Sequence, residues 1–233
     1  MTNFTIKIVS DAICPWCYIG KKRLETAIRT YKKEVPGGEN DTFTVTWHPF
    51  YLDPTLANVG VDRRVHLSKK FPNPQHLEMV FARLQSLGEA EGIDFSKGGK
   101  IGNTRDAHRL VQLAKTKGNE TENKVVAELF KAHFEEGGDI TSQDMLVAAA
   151  AKAGLDKAEA KSWLETGKGG DEVDLEVEQA YAKGISGVPN FTINGRYELG
   201  GAQDPRTFVA EFERAKKASP KDVSTKSSDG VSC

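Results

Sequence analysis

Cys14 and Cys17 are the residues whose types and spacing point most directly to chemistry, in the run Ser10-Asp11-Ala12-Ile13-Cys14-Pro15-Trp16-Cys17. Side chains three apart on a helix lie on one face, which brings two sulfurs within disulfide reach. At a helix start, free N–H groups and a partial positive charge favour a thiolate over a thiol. The arrangement predicts an exposed Cys14 that attacks and a more buried Cys17 that resolves. Two incidental buried thiols are the plain alternative. A zinc site would need about four ligands, and no second Cys/His pair has metal spacing, so no metal is expected. Covalent haem attachment would need histidine where Tyr18 stands. The third cysteine, Cys233, reads as incidental on a tail, with an intermolecular or mixed disulfide as its other use.

Five further residues could serve such a pair. Val188-Pro189 is one pair to consider. Only about 5–6% of X–Pro bonds are cis, so a trans proline opening a strand is the plain reading. The element order below favours a cis-Pro189 facing the cysteines, with Val188 offering its N–H and C=O to an extended substrate. Trp16, in an exposed turn, is expected to be substrate-facing or partly exposed rather than packed. Asn103-Thr104-Arg105-Asp106-Ala107-His108 opens a helix. Either Asn103 or Thr104 caps it and the rest is a solvated face, or Asn103 and His108 face the cleft and touch substrate or glutathione. His48, His66, His76 and His133 read as structural or surface residues. The runs Lys21-Lys22-Arg23 and Lys32-Lys33 read as a solvated helix face.

These residues need elements to position them. Residues 4–10 alternate as a half-buried strand. Residues 15–33 carry a helical stripe of Ile19, Leu24, Ala27, Ile28 and Tyr31, with Pro15 suited to the first helical position. Pro36-Gly37-Gly38 ends it, and residues 42–50 are strand-like. From about 60 to 184 almost everything reads as helix. Segments 74–91, 104–117, 120–136, 142–153, 156–166 and 171–183 are each stopped by a glycine, and Thr141 with Asp144 fits a capping box. Asn194-Gly195 signals a hairpin between strands 190–193 and 196–199. A helix over 205–217 follows, and from 218 the chain is expected to be disordered. The order β-α-β, helical block, β-β-α predicts an α/β thioredoxin fold with a large all-helical insertion. The domains are then 1–55 and 185–217 for the thioredoxin part, 56–184 for the insertion and 218–233 for the tail.

The 233 residues have a formal net charge of -1 and are 38% hydrophobic. That balance gives no reason to expect nucleic acid or a membrane surface as partner. The N-terminal run Phe4 to Val9 is interrupted by Lys7 and reads as a strand rather than a secretory signal. No apolar stretch approaches the roughly 20 residues needed to span a bilayer. With too few cysteines for a structural disulfide framework, a cytoplasmic protein is expected, as monomer or homodimer.

At this point the chain resembles a family. S-D-A-I-C-P-W-C-Y-I-G-K, N-T-R-D-A-H-R-L, L-F-K-A-H-F-E-E-G-G-D-I, G-I-S-G-V-P-N-F and N-G-R-Y-E-L-G-G-A-Q are similar to the DsbA-like thioredoxin family. Within it they are closest to the FrnE-like branch of cytosolic proteins, over residues 4–215. The resemblance implies disulfide exchange, with Cys14 as nucleophile, Cys17 resolving and Pro189 as the cis-proline. The substrates it implies are proteins with disulfides or small thiols. Kappa-class glutathione transferases and 2-hydroxychromene-2-carboxylate isomerases share the fold but carry serine where Cys14 stands, and use glutathione. A glutathione-dependent transferase or isomerase is therefore one alternative reading, with glutathione as co-substrate. A non-catalytic accessory or binding protein is the other. No tightly held cofactor is implied. Asn190 departs from the pattern, because relatives often have an aromatic after the proline.

Overall fold

The period-two pattern at the N-terminus produces the central strand of the sheet. Phe4, Ile6, Ile8 and Ser10 are buried while Asn3, Thr5 and Lys7 face solvent, forming β1 (Asn3–Ser10). The computed structural model describes residues 1–96 and 98–218. The expected tail and Cys233 lie outside the described residues, apart from Ala218.

The long helix α1 (Pro15–Glu34) follows β1 and leads to β2 (Thr42–Pro49), which pairs parallel to β1 with Phe4 opposite Phe43 and Ser10 opposite Pro49. A parallel neighbour requires such a crossover. The chain then runs through β3 (Val61–Asp62), α2 (Arg63–Lys70), α3 (Pro74–Ala90), β4 (Lys100–Ile101) and α4 (Arg105–Thr116). Four more helices complete the block: α5 (Asn119–Phe134), α6 (Gln143–Lys152), α7 (Lys157–Glu165) and α8 (Gly170–Ala182). It returns as the hairpin β5 (Asn190–Ile193) and β6 (Tyr197–Gly200) and ends in α9 (Pro205–Ala218). β5 lies antiparallel to β1, giving the order β2-β1-β5-β6. Asn194 and Gly195 both have positive φ, 50° and 66°, as a tight primed turn between two right-twisted strands requires.

Among the described residues, the insertion carries one antiparallel strand pair, β3 with β4, two residues on each side, and a single parallel bridge between Lys100 and Asp139. Ser142, not Thr141, caps α6: its Oγ accepts from the Met145 N–H at 3.3 Å. Thr141 is held by Asp139 instead.

Two aromatic groups anchor the core. Phe4, Tyr31, Phe43 and Phe212 meet where β1 and β2 begin. Tyr18 of α1 packs on Phe95, Phe130 and Phe134 of the insertion and donates its hydroxyl to Glu135. A polar face of α5 lies along β2. Glu122 accepts from the Trp47 backbone N–H at 2.7 Å, and Asn123 Nδ2 donates to the Val45 carbonyl at 2.9 Å.

Candidate active site

Cys14 is the N-cap of α1, with φ −90° and ψ 111°. Its N–H donates to the Asp11 carbonyl at 3.1 Å, and its own carbonyl accepts from the Cys17 N–H at 3.0 Å. Pro15 takes the first helical position, where a missing N–H costs nothing. Both cysteines are free thiols.

The Val188–Pro189 peptide bond is cis. Cys14 Sγ points to the Val188 carbonyl, 3.5 Å away, so the two segments that sequence reasoning paired do meet. The expectation of an exposed Cys14 is corrected: it is only 2% exposed. The Val188 segment, 174 residues away in the chain, lies beside its sulfur and supplies a carbonyl partner. Cys17 is completely buried. Burial pushes its thiol well up from the ordinary value, the adjoining Cys14 adds to this, and the Ser10 hydroxyl and Asp11 backbone oppose it. Trp16, at 38%, is an exposed ring between them.

Gly20 sets how closely α1 can approach the proline. A Cβ there would lie 3.1 Å from both Pro189 Cγ and the Phe191 ring. Only glycine leaves that contact unstrained.

Residues 50–54 are held at four points, one of them Asp11 three residues before Cys14. The Asp11 carboxylate accepts from the Leu52 N–H at 2.7 Å. His108 Nε2 lies 3.2 Å from the Phe50 carbonyl. The Tyr51 hydroxyl donates to Asp174 at 2.8 Å, and Tyr181 donates to the Tyr51 carbonyl at 2.7 Å. Arg105 grips the same Asp174 through Nε and Nη2. Burial and the Asp174 carboxylate both raise the Tyr51 hydroxyl. Between this loop and the end of α8 opens a cleft of about 480 Å³, lined by Phe50, Tyr51, Leu52, Pro54, Tyr181 and Ile185. Leu52 and Tyr181 are exposed, at 42% and 43%.

Asn103 is a cap. Its Oδ1 accepts from the Arg105 N–H at 2.9 Å, and its Nδ2 donates to the Leu56 carbonyl at 3.2 Å. Thr104 makes no side-chain cap bond. The side-chain bonds of Asn103 thus go to the backbone rather than toward a substrate. His108 is buried, 3.6 Å from Asp11, so the structure places it behind the loop as a partner of Asp11 and Phe50. Sequence reasoning passed over Ser10, Asp11, Tyr51 and Tyr181. Ser10 did carry a signal: it puts a hydroxyl in the buried row of Phe4, Ile6 and Ile8. Among the described residues, no three His, Cys, Asp or Glu side chains gather as a metal site. None of the helices there is long and apolar enough to cross a membrane.

A family model for the DsbA-like thioredoxin domain matches residues 5–213. The chain belongs to this family. It is 31% identical over 202 residues to the uncharacterized protein YwbO of Bacillus subtilis, covering 84% of this chain and 90% of that one. Among solved structures, a probable DsbA oxidoreductase, SCO1869 from Streptomyces coelicolor, superposes with a TM-score of 0.80 at 28% identity, covering 94% of this chain and 92% of that one. The cytosolic disulfide reductase DsbM of Pseudomonas aeruginosa shares the fold at 18% identity and a TM-score of 0.60, covering 91% and 98%. This family's fold, an α/β thioredoxin fold with an inserted helical domain, is the one the element order predicted.

Proposed function

We propose that the chain is a thiol-disulfide oxidoreductase working through Cys14 and Cys17. One observation carries this reading: the N-cap thiol of α1 faces the Val188 carbonyl beside cis-Pro189, with a second, buried thiol one turn behind it. Cys14 attacks a substrate disulfide. A Cys14–substrate S–S bond forms and one substrate thiolate leaves. Cys17 then attacks Cys14, the internal disulfide forms, and the second substrate thiol departs. Two electrons pass to the substrate, and the reverse sequence oxidises a dithiol. An extended substrate would lie along Val188, with an apolar side chain in the cleft beside Leu52 and Tyr181. The chain has three cysteines in all, which suits a reducing compartment such as the cytoplasm, where the pair rests as a dithiol and reduction or isomerisation is favoured.

The test is the redox equilibrium of the pair in a glutathione buffer series, in a Cys233→Ser background, read by Trp16 fluorescence. The expected result is a reversible two-electron transition between about −120 and −270 mV, the range of thioredoxin-fold enzymes, that Cys14→Ser abolishes. A stable glutathione adduct on Cys14, with catalysis indifferent to Cys17, would replace this reading with the glutathione-dependent one.

A further inference from the structure

Ser186, Gly187 and Val188 run between two fixed points. Upstream, the Ile185 N–H donates to the Ala180 carbonyl of α8 at 3.2 Å. Downstream, the Pro189 carbonyl accepts from the Gly201 N–H at 2.8 Å. Between these anchors, among the described residues, the span makes a single hydrogen bond: its Val188 carbonyl faces Cys14 Sγ at 3.5 Å. Ser186 and Gly187 are exposed. An added Cβ at Gly184 or Gly187 would meet no atom within 4 Å, so no packing pins the backbone there. The Val188 side chain leans on the apolar core. Packing thus holds one side chain of the span, and the Cys14 thiol holds its backbone.

That hydrogen bond has a direction. A carbonyl oxygen can only accept, so Cys14 must donate, and it can donate only as S–H. A thiolate or a disulfide sulfur has no hydrogen to give and turns lone pairs toward the oxygen instead. The contact is therefore lost in the very states that disulfide exchange passes through. When Cys14 attacks a disulfide, a bond forms to its sulfur and the substrate S–S bond breaks. The departing thiolate keeps both bonding electrons and takes the Cys14 proton. In the dithiol form, by contrast, Cys14 is almost wholly covered.

We infer that residues 186–188 form a strap latched by the Cys14 thiol, closed over the resting dithiol and released while Cys14 is a thiolate or part of a disulfide. An S–H···O contact is weak, so the latch biases the strap between two positions rather than locking it. The use of the release rests on the oxidoreductase reading. It frees the Val188 carbonyl to accept a substrate backbone N–H while Cys14 is joined to that substrate. Re-formation of the S–H at the end of the cycle closes the strap again.

The test records nitrogen-15 relaxation of the Ser186 and Gly187 amides, and the carbon-13 shift of the Val188 carbonyl, in the full chain with Cys233→Ser. Two further forms lack the S–H. One is Cys14→Ala. The other is Cys17→Ser treated with the aromatic disulfide dithiobis-nitrobenzoate, where attack by Cys14 releases one coloured thiolate and leaves a mixed disulfide. The expected order parameters are about 0.85 in the reduced chain and about 0.6 or less in both other forms. The Val188 carbonyl should move upfield in both, while the 194–195 turn stays as it was. Unchanged order parameters and carbonyl shift in either form overturn the strap. If Cys14→Ala does not fold, the mixed disulfide decides alone. With Cys14 and Cys17 both present, dithiobis-nitrobenzoate should release two coloured thiolates, one for attack and one for resolution. Release of one only would sink the oxidoreductase reading, and the relaxation data would still decide the strap.

Discussion

At the scale of single residues, burial decides what an ionisable group can do. His133 is completely buried, and burial, reinforced by the neighbouring Arg63 guanidinium, pushes its imidazole down to about 3. Its Nδ1 lies 3.3 Å from the Gly138 carbonyl, while Arg63 donates to its backbone carbonyl at 2.7 Å. In the unfolded chain the ring titrates near 6.5. The unfolded state therefore binds a proton first as pH falls, so stability is full above about pH 6.5 and declines toward pH 3. The slope is at most about 1.4 kcal/mol per pH unit. Glu176, which His48 and Lys115 hold down at about 2, adds the same sign only below about 4.5. Burial raises the Glu122 carboxyl, which contributes with the opposite sign above about pH 4.5, so the His133 contribution is read as the difference between wild type and His133→Gln in urea unfolding between pH 6.5 and 4.5. His133→Gln should remove the decline in that window, whatever its absolute stability, and an unchanged slope would disprove the assignment. His133 was legible as a structural histidine. Its burial was not, because the Arg63 that covers it lies 70 residues away.

Among the elements, α1 has the most to arrange. It presents Cys14 at its N-cap, packs Tyr18 against the insertion, and brings Gly20 onto the proline. Gly20→Val should force α1 away from Pro189 and Phe191. The expected loss is about 1–3 kcal/mol, as for other overpacked contacts, with slower release of the first thiolate from dithiobis-nitrobenzoate. Normal stability in urea titration would mean that the contact is looser than described. Nearly all the helices and the 194–195 turn were readable, because apolar periodicity and glycine stops are local signals. The pair β3–β4 was not, since two residues cannot show alternation. The α6 cap was misplaced by one residue, because Thr141 and Ser142 offer equivalent hydroxyls. Only the contact of Thr141 with Asp139 tells them apart.

Across the whole molecule, one apolar cluster runs from the sheet residues Phe4, Ile6 and Ile8 through Tyr18 into Phe130, Leu146 and Leu164 of the insertion. Sheet and insertion should therefore unfold together. Tryptophan fluorescence, to which Trp47 and Trp163 report from their anchors on Asn123 and the Arg109 carbonyl, should give the same midpoint as far-UV circular dichroism. Two separated transitions would show that the insertion is an independent unit. Sequence reasoning found the two ends of the site, the cysteine turn and Val188-Pro189, because each carries a motif. It missed the wall formed by residues 50–54, because that loop is defined only by partners at Asp11, His108, Asp174 and Tyr181.

The polar face of α5 has a consequence for how this protein behaves among its own copies. An outer strand ordinarily offers a ladder of unpaired N–H and C=O groups, on which another chain can grow. Along β2 that ladder is already occupied at Trp47 and Val45 by the side chains of Glu122 and Asn123. The helix thus closes this margin against strand exchange and fibre-like stacking.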